Sequence, residues 1–598
     1  MRLAPPVGLM ALSIPAIAQL VPSPTYNPPP AASGTVKSSS SPNPQWSNVL
    51  GNAFWFYDAQ RSGNLDAGAY PNRVTWRNNS AMQDGSDWNL DLTGGWYDAG
   101  DYIKCLFPLS NTLFALSWGA LTHGRGWDLA QQSAYLDSTL RWGFDWMMRA
   151  HPSDDVLFVQ VGDSTIDNSY WGGDQNIPTP RPSYPINSSS PGTDAWASTA
   201  AAFAMASLLY TPGVSYVPIS GASPPSSPSL GNSTYASELL SHAKTLYATA
   251  NQTRPFSLFA HSIPAVASAY TATNYTDKLA MGALSLALAT NESAYYADAY
   301  NFYQEFALTG SNDPWNWDSR YPALYVLFVE AAKTRPNLAT GAGLAVNLTG
   351  WQTEAEGWFD RIVNGEDSKQ HFMTPGGLLW FEGWSDESSL IEAMSASMLF
   401  YKYAPLASTS NKTSQYQEFA QNQVAYMLGN NPMSAVYLVG SHPNSPQNPH
   451  SAPASGGDNI NAIRTQPPVE AHVLYGAMVG GPLQNDKFWD WRDDWVQTEV
   501  ALDYNAVIPF LASWQLINDS PDPYYVNVTA NTYYVPSGDP CDAALPCNGT
   551  GNGGLSDGAK AGIGIGVILG VGLIIAFIWY IRRDQIARWW RSGYVRPH

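Results

Sequence analysis

Two short segments of this sequence hold carboxylates at spacings that suit proton transfer. In the first, Gly94-Gly95-Trp96-Tyr97-Asp98-Ala99-Gly100-Asp101-Tyr102-Ile103-Lys104, two aspartates stand three residues apart in a turn kept tight by small residues and walled by aromatic rings. Such a pair can face one water, with one carboxylate taking its proton while the other orients it. A calcium loop or a plain Asp-rich turn has the same spacing. The second segment runs from Phe488 to Ala506 and places Glu499 directly after an aromatic and acidic loop. Apolar periodicity predicts that Glu499 opens a long helix over residues 498–516. Crowding by Trp495, Tyr504 and nearby carboxylates would push its carboxyl toward the protonated form that a general acid needs. A solvated helical face formed by Glu499 and Asp503 fits the same letters. The sequence has no Gly-rich phosphate loop, no Gly-x-Ser-x-Gly elbow and no Cys/His zinc spacing. Asp163-Ser164-Thr165-Ile166-Asp167 reads as a solvated acidic loop or a structural calcium loop, and Cys105 as a buried thiol. No cofactor or catalytic metal is expected, with a structural calcium left open.

Positioning these groups falls to a long chain of 598 residues, 44% of them apolar, which is ample for a large core. Its net charge of −19 leaves no basic stripe for phosphate backbones, so nucleic acid is not an expected partner. Apolar residues recur at helical spacing in about a dozen segments: residues 46–61, 111–122, 129–150, 193–210, 233–250, 276–290, 293–308, 319–334, 351–364, 385–403, 412–428 and 498–516. Strand alternation is almost absent. Long connections rich in Gly, Pro, Asn and Trp link the helices, and such loops carry function. Twelve helices of this kind suit six helical hairpins closed into a double ring, and no fixed-period repeat supports a solenoid.

The ends carry addresses. Residues 1–18 resemble a signal peptide closing on Ala16-Ile17-Ala18, and residues 19–45, rich in Pro and Ser, read as a flexible leader. Residues 46–517 form the predicted folded domain and residues 518–560 a stalk, in which Cys541 and Cys547 are spaced for a small disulfide loop. Residues 561–581 are free of charge and long enough to cross a hydrocarbon core of roughly 30 Å. Five arginines against one aspartate follow in residues 582–598, so the tail is expected in the cytoplasm and the domain outside, as a single-pass type I protein. Eleven Asn-x-Ser/Thr sequons between Asn78 and Asn548 agree with secretion. A monomer is expected.

Taken in order, the motifs resemble glycoside hydrolase family nine, the inverting family that contains many cellulases. Those motifs are Tyr57-Asp58-Ala59-Gln60-Arg61-Ser62-Gly63, Asp91-Leu92-Thr93-Gly94-Gly95-Trp96-Tyr97-Asp98-Ala99-Gly100-Asp101, Pro180-Arg181-Pro182-Ser183-Tyr184, Thr374-Pro375-Gly376-Gly377-Leu378, Leu428-Gly429-Asn430-Asn431-Pro432, Pro449-His450 and Phe488 to Ala506. The resemblance implies an all-α (α/α)6 barrel with an open cleft at one end, and hydrolysis of a β-1,4-glucan partner with inversion. It implies Asp101 as catalytic base, Asp98 as its partner on the water and Glu499 as the acid. It also implies Tyr504 and Trp380 as sugar-stacking residues and His450 as a hydrogen-bond donor in the cleft. The chain departs from the family pattern at His450-Ser451-Ala452, where His-His-Arg is usual, and at Asp386-Glu387-Ser388-Ser389, where an Arg is usual. Arg464 or Arg492 could stand in, with Arg492 better matched to a structural role. The alternative to an endoglucanase is a carbohydrate-binding or wall-organising membrane protein of weak turnover on the same fold.

Overall fold

Helices that are apolar all round must be buried, and helices with one apolar stripe must lie outside them. Both kinds alternate along this chain. The computed structural model describes residues 19–23, 25–68, 71–213 and 230–547. Among them are twelve helices of ten residues or more: α1 Pro44–Gln60, α2 Leu106–His123, α3 Ser133–Ala150, α4 Thr193–Tyr210, α5 Ser233–Gln252, α6 Thr276–Thr290, α7 Ser293–Glu305, α8 Tyr321–Thr334, α9 Leu348–Val363, α10 Ser389–Tyr403, α11 Ser410–Met427 and α12 Ile508–Ile517. Every residue of α4 and α10 is buried, as are nearly all of α2, α6, α8 and α12.

The buried helices form a closed ring. Helix α2 packs on α4, α4 on α6, α6 on α8, α8 on α10, α10 on α12, and α12 back on α2. Each carries one outer helix: α1 on α12, α3 on α2, α5 on α4, α7 on α6, α9 on α8 and α11 on α10. Small residues let the inner helices approach closely: a Cβ on Gly282 of α6 would lie 3.0 Å from the Ala197 carbonyl oxygen of α4. This is the expected α/α barrel of six hairpins. Eleven of the predicted helical segments correspond to observed helices, two of them, 193–210 and 276–290, with the same ends and the rest with shifted ones.

The exception is the last. In place of a helix over 498–516, a four-residue turn of helix at Trp495–Thr498 ends at Glu499, which is extended (φ −62°, ψ 150°), and α12 starts only at Ile508. The apolar residues between them are buried by loop packing, and periodicity cannot distinguish that from a helix.

Two small sheets, absent from the sequence reading, brace the connections. Strands β1 Lys104–Cys105, β2 Leu157–Val161 and β3 Ser183–Ile186 pair antiparallel in that order, and β4 His371–Met373 pairs with β5 Leu379–Phe381. They are too short to show alternation.

Residues 19–45 are not a free leader. The Tyr26 hydroxyl donates to Asn52 Oδ1 at 2.7 Å, and Gln45 Nε2 donates to the carbonyls of Ser33 (2.9 Å) and Val36 (2.7 Å). Gly51 leaves room for the Tyr26 ring, which a Cβ would meet at 2.4 Å. An extended, Pro-rich segment has no helical period, yet its polar groups find partners distant in sequence. The folded unit likewise continues past Ile517 to Ser537. Trp46 Nε1 donates to the Pro521 carbonyl at 2.8 Å, and Asn43 Nδ2 to Asp522 Oδ1 at 2.8 Å.

A second unit starts at Gly538, and its described part holds the expected Cys541–Cys547 disulfide. Cys105 is free and buried, as read from the sequence. The predicted signal peptide, the membrane span over 561–581 and the tail lie outside the described residues. Within those residues, no helix is long and apolar enough to cross a membrane.

Candidate active site

Chain direction alternates between the two rings, so every connection from an outer to an inner helix falls at the same end of the barrel. The candidate residues sit on these connections: Asp98 and Asp101 before α2, Asp167 before α4, Tyr270 before α6, Trp380 before α10, and His450, Glu499 and Tyr504 before α12. The alternation therefore gathers residues 400 positions apart at one mouth.

Backbone contacts then lock three loops together. Gly100 lies so close to the His450 segment that a Cβ would meet the His450 carbonyl oxygen at 2.2 Å, and the Ala452 N–H donates to the Gly100 carbonyl at 2.6 Å. The His450 N–H donates to the Thr498 carbonyl at 2.8 Å, and His450 bridges Glu499 in parallel. The Leu502 N–H donates to the Asp98 carbonyl at 2.9 Å. A glycine is required at 100 by this close approach. Behind the turn, buried Lys104 and half-buried Arg181 hold Asp84 at 2.7 and 2.8 Å. Burial alone would raise Asp84, but the two cations keep it below the usual carboxylate range.

Asp98 is buried, and its Oδ2 accepts from the Tyr270 hydroxyl at 2.6 Å. Burial, with the nearby Asp503, pushes its carboxyl well up. Asp101 is half-buried and is also pushed well up, by burial first and then by Asp167 and Glu499. Glu499 receives a hydrogen bond from the Gly100 N–H, yet burial, Asp503 and Glu387 push it up to about 8. At neutral pH that carboxyl holds its proton, as a general acid must. Asp503 is buried and raised by burial to about 7. Glu499 and Asp503 are thus no solvated helical face.

The expected binding residues differ in what they offer. Tyr504 is half-buried beside Glu499, its hydroxyl hydrogen-bonded to Ser388. The His450 ring lies tilted against Trp171, ring centroids 4.8 Å apart, and its Nδ1 lies 2.7 Å from the Arg492 carbonyl oxygen. A carbonyl only accepts, so Nδ1 carries the hydrogen. Burial lowers the His450 pKa and so favours the neutral ring, in which Nε2 can accept a hydrogen bond. Trp380 lies on β5 at 2% exposure with its Nε1 unpartnered, and presents no free face for stacking.

Neither arginine considered as a substitute stands free in the site. Arg492 is buried against Glu470 at 2.5 Å and donates to the Ile463 and Pro467 carbonyls. Arg464 pairs with Asp493 at 2.7 Å and lies over the Trp491 ring at 3.8 Å. Asp163 spends one oxygen on the N–H groups of Thr165 and Ile166 and the other on the Tyr184 hydroxyl. No group of three His, Cys, Asp or Glu side chains among the described residues is arranged to hold a metal ion.

Sequence reasoning missed Tyr270, which stands in a loop without any distinguishing spacing. It noticed Asp167 only as part of an acidic loop.

The comparisons accord with this arrangement. Endoglucanase A of Bacillus pumilus is 34% identical over 460 residues, covering 77% of this chain and 64% of its own length, so the chain spans just under two thirds of that relative. The endoglucanase of the termite Nasutitermes takasagoensis superposes with a TM-score of 0.67 at 32% identity, covering 79% of this chain and 98% of the other. The cellulase Cel9M of C. cellulolyticum, solved in complex with cellobiose, gives a TM-score of 0.65 at 29% identity and covers 79% and 98%. Residues 46–512 match the family described as Glycosyl hydrolase family 9, nearly the whole double ring with the three carboxylate-bearing loops at its mouth, and the chain belongs to that family.

Proposed function

We propose that this protein is an endo-β-1,4-glucanase that hydrolyses cellulose or a related β-glucan with inversion. One observation carries the reading: Glu499, held toward its protonated form, is joined through Gly100 to the turn that carries Asp98 and Asp101. In the reaction, the Glu499 carboxyl protonates the departing glycosidic oxygen. A water on the opposite face of the sugar attacks the anomeric carbon, oriented by Asp98, and gives up its proton to Asp101. Direct displacement of this kind needs the acid and the base about 6.5–9.5 Å apart, with room for that water. Tyr270 fixes Asp98. Tyr504 offers a ring beside the acid, and neutral His450 accepts from a sugar hydroxyl at Nε2. The relatives named as endoglucanases, and the one solved with cellobiose, support the substrate class.

The test is proton NMR of the first products of a soluble β-glucan, where the new reducing end should appear in the α configuration. An initial β excess overturns the mechanism. Asp101→Asn and Glu499→Gln should each lower turnover by about 10²- to 10⁴-fold while sugar binding persists. Turnover near wild type in either variant overturns the assignment.

The same proposal places the enzyme outside the cell, secreted by residues 1–18 and held by a membrane span over 561–581. The charge-free length of the span and the arginines after it support this. Sequon residues Asn78, Asn291, Asn347, Asn411, Asn518 and Asn527 are exposed, which suits glycan attachment. Fractionation of the full chain against one ended after Lys560 tests the anchor. The shorter chain should be soluble and the full chain should need detergent, and a shorter chain that stays with membranes overturns it.

A further inference from the structure

Asp167 is buried at the end of a four-residue helix, Ser164–Asp167, that Asp163 caps. Its Oδ2 accepts from the N–H groups of Tyr102 (3.2 Å) and Ile103 (2.9 Å), the two residues directly after Asp101. Its carboxyl is also hydrogen-bonded to the carboxyl of Asp101. Two carboxyls in such contact hold a proton between them, and the surroundings decide where it rests. Asp167 has two backbone donors and the positive field of Arg181, whereas Asp101 faces the carboxyls of Glu499 and Asp98. Burial raises both carboxyls, but Arg181 and the two backbone donors act to lower Asp167, whereas Asp167, Glu499 and Asp98 all raise Asp101 further, so the shared proton is favoured on Asp101 and the charge on Asp167. A base already carrying a proton cannot simply accept another.

We propose that Asp101 and Asp167 act as a relay, in which the proton of the attacking water enters at Asp101 while Asp101 passes its own proton to Asp167. The inference rests on the reading of Asp101 as the group that meets the water. As the water oxygen bonds to the anomeric carbon, one water O–H breaks and a new O–H forms on the free oxygen of Asp101. The old Asp101 O–H breaks and an O–H forms on Asp167. The glycosidic oxygen leaves with the Glu499 proton. Before the step Asp167 is the anion; afterwards Glu499 is, so charge balances, and solvent returns the proton from Asp167 to Glu499. Asp167 touches no reacting atom and acts through Asp101.

Asp167→Asn separates this role from simple support of the turn. The amide oxygen still accepts from Tyr102 and Ile103, but it cannot take up a proton. The relay predicts a kcat lower by about 10²-fold or more with KM within about twofold, in a protein whose near-ultraviolet circular dichroism is unchanged. A variant that keeps half the wild-type kcat, beside an inactive Asp101→Asn, overturns the relay and leaves the glucanase reading standing. A fully active Asp101→Asn overturns that reading itself. Should Asp167→Asn fail to fold, the rate of the wild-type enzyme in mixed H2O and D2O decides: the water and Glu499 protons alone give at most a quadratic dependence on deuterium fraction, the relay adds a third proton and a cubic one, and a quadratic or straight dependence overturns the relay.

Discussion

Glu499 is a carboxyl whose ordinary range lies near 4.5 and which this site pushes up to about 8, chiefly by burial. Two consequences of opposite sign follow. In the acid role proposed for it, it must be protonated, so the alkaline limb of the kcat/KM profile should fall through a pH near 8, measured on a soluble β-glucan. In stability the same shift is a cost. Between about 4.5 and 8 the native protein holds a proton here that the unfolded chain releases, so this group's contribution to stability declines as pH rises through that window. Glu499→Gln removes the titration. The variant should be more resistant to heat than wild type above pH 8 and nearly equal to it at pH 4, as differential scanning calorimetry would show, even as it loses turnover.

At the scale of elements, the site depends on a loop-to-loop approach that a single methyl group would prevent. A Cβ at position 100 would meet the His450 carbonyl oxygen at 2.2 Å, and backbone on both sides leaves nothing flexible to give way. Gly100→Ala should therefore cost about 1–3 kcal/mol of stability, the usual range for overpacking. Its effect on activity should be larger, because the shift separates Asp101 from Glu499, and misplacements of about 1 Å can cost about 10²-fold in rate. Thermal unfolding and kcat measured on the same preparation check both. Arg492 illustrates a different dependence. Its buried guanidinium faces Glu470, which burial pushes up to about 8 against the pull of that arginine. Arg492→Leu should destabilise by about 1–3 kcal/mol, because the Ile463 and Pro467 carbonyls lose their donor, as denaturant titration would reveal.

Across the whole molecule, the boundaries of the folded unit matter more than the helix count suggests. Asn43, at the N-cap of α1, bonds Asp522, and Trp46 bonds the Pro521 carbonyl. The Tyr533 hydroxyl donates to the Phe488 carbonyl in the loop that leads to Glu499. A chain ended at Ile517 should thus melt several degrees lower than one ended at Lys560 and lose activity. The chain ended at Lys560 should keep full specific activity. Unfolding midpoints and turnover of the two forms would check this.

How much of this was legible beforehand depends on the range of the interactions involved. Helix existence and type were written locally: eleven segments of 3.6-residue periodicity became helices, and a count of twelve already suited six hairpins closed into a double ring. Residue type and spacing marked Asp98, Asp101 and Glu499 only as candidates, beside a calcium loop and a solvated helical face, and it was the family resemblance that singled them out. Only the tertiary structure decided that Glu499 stands in extended backbone after one helical turn, since loop burial and helix burial leave the same apolar letters. It alone placed the His450 Nδ1 against a carbonyl 42 residues away. It brought Tyr270 onto Asp98 and Asp167 onto Asp101 across separations of 172 and 66 residues. It also strapped the Pro-rich leader to α1. Periodicity records what a residue's own helix or strand requires, and proton positions, hydrogen-bond partners and loop contacts are set by groups that only the closed ring brings together.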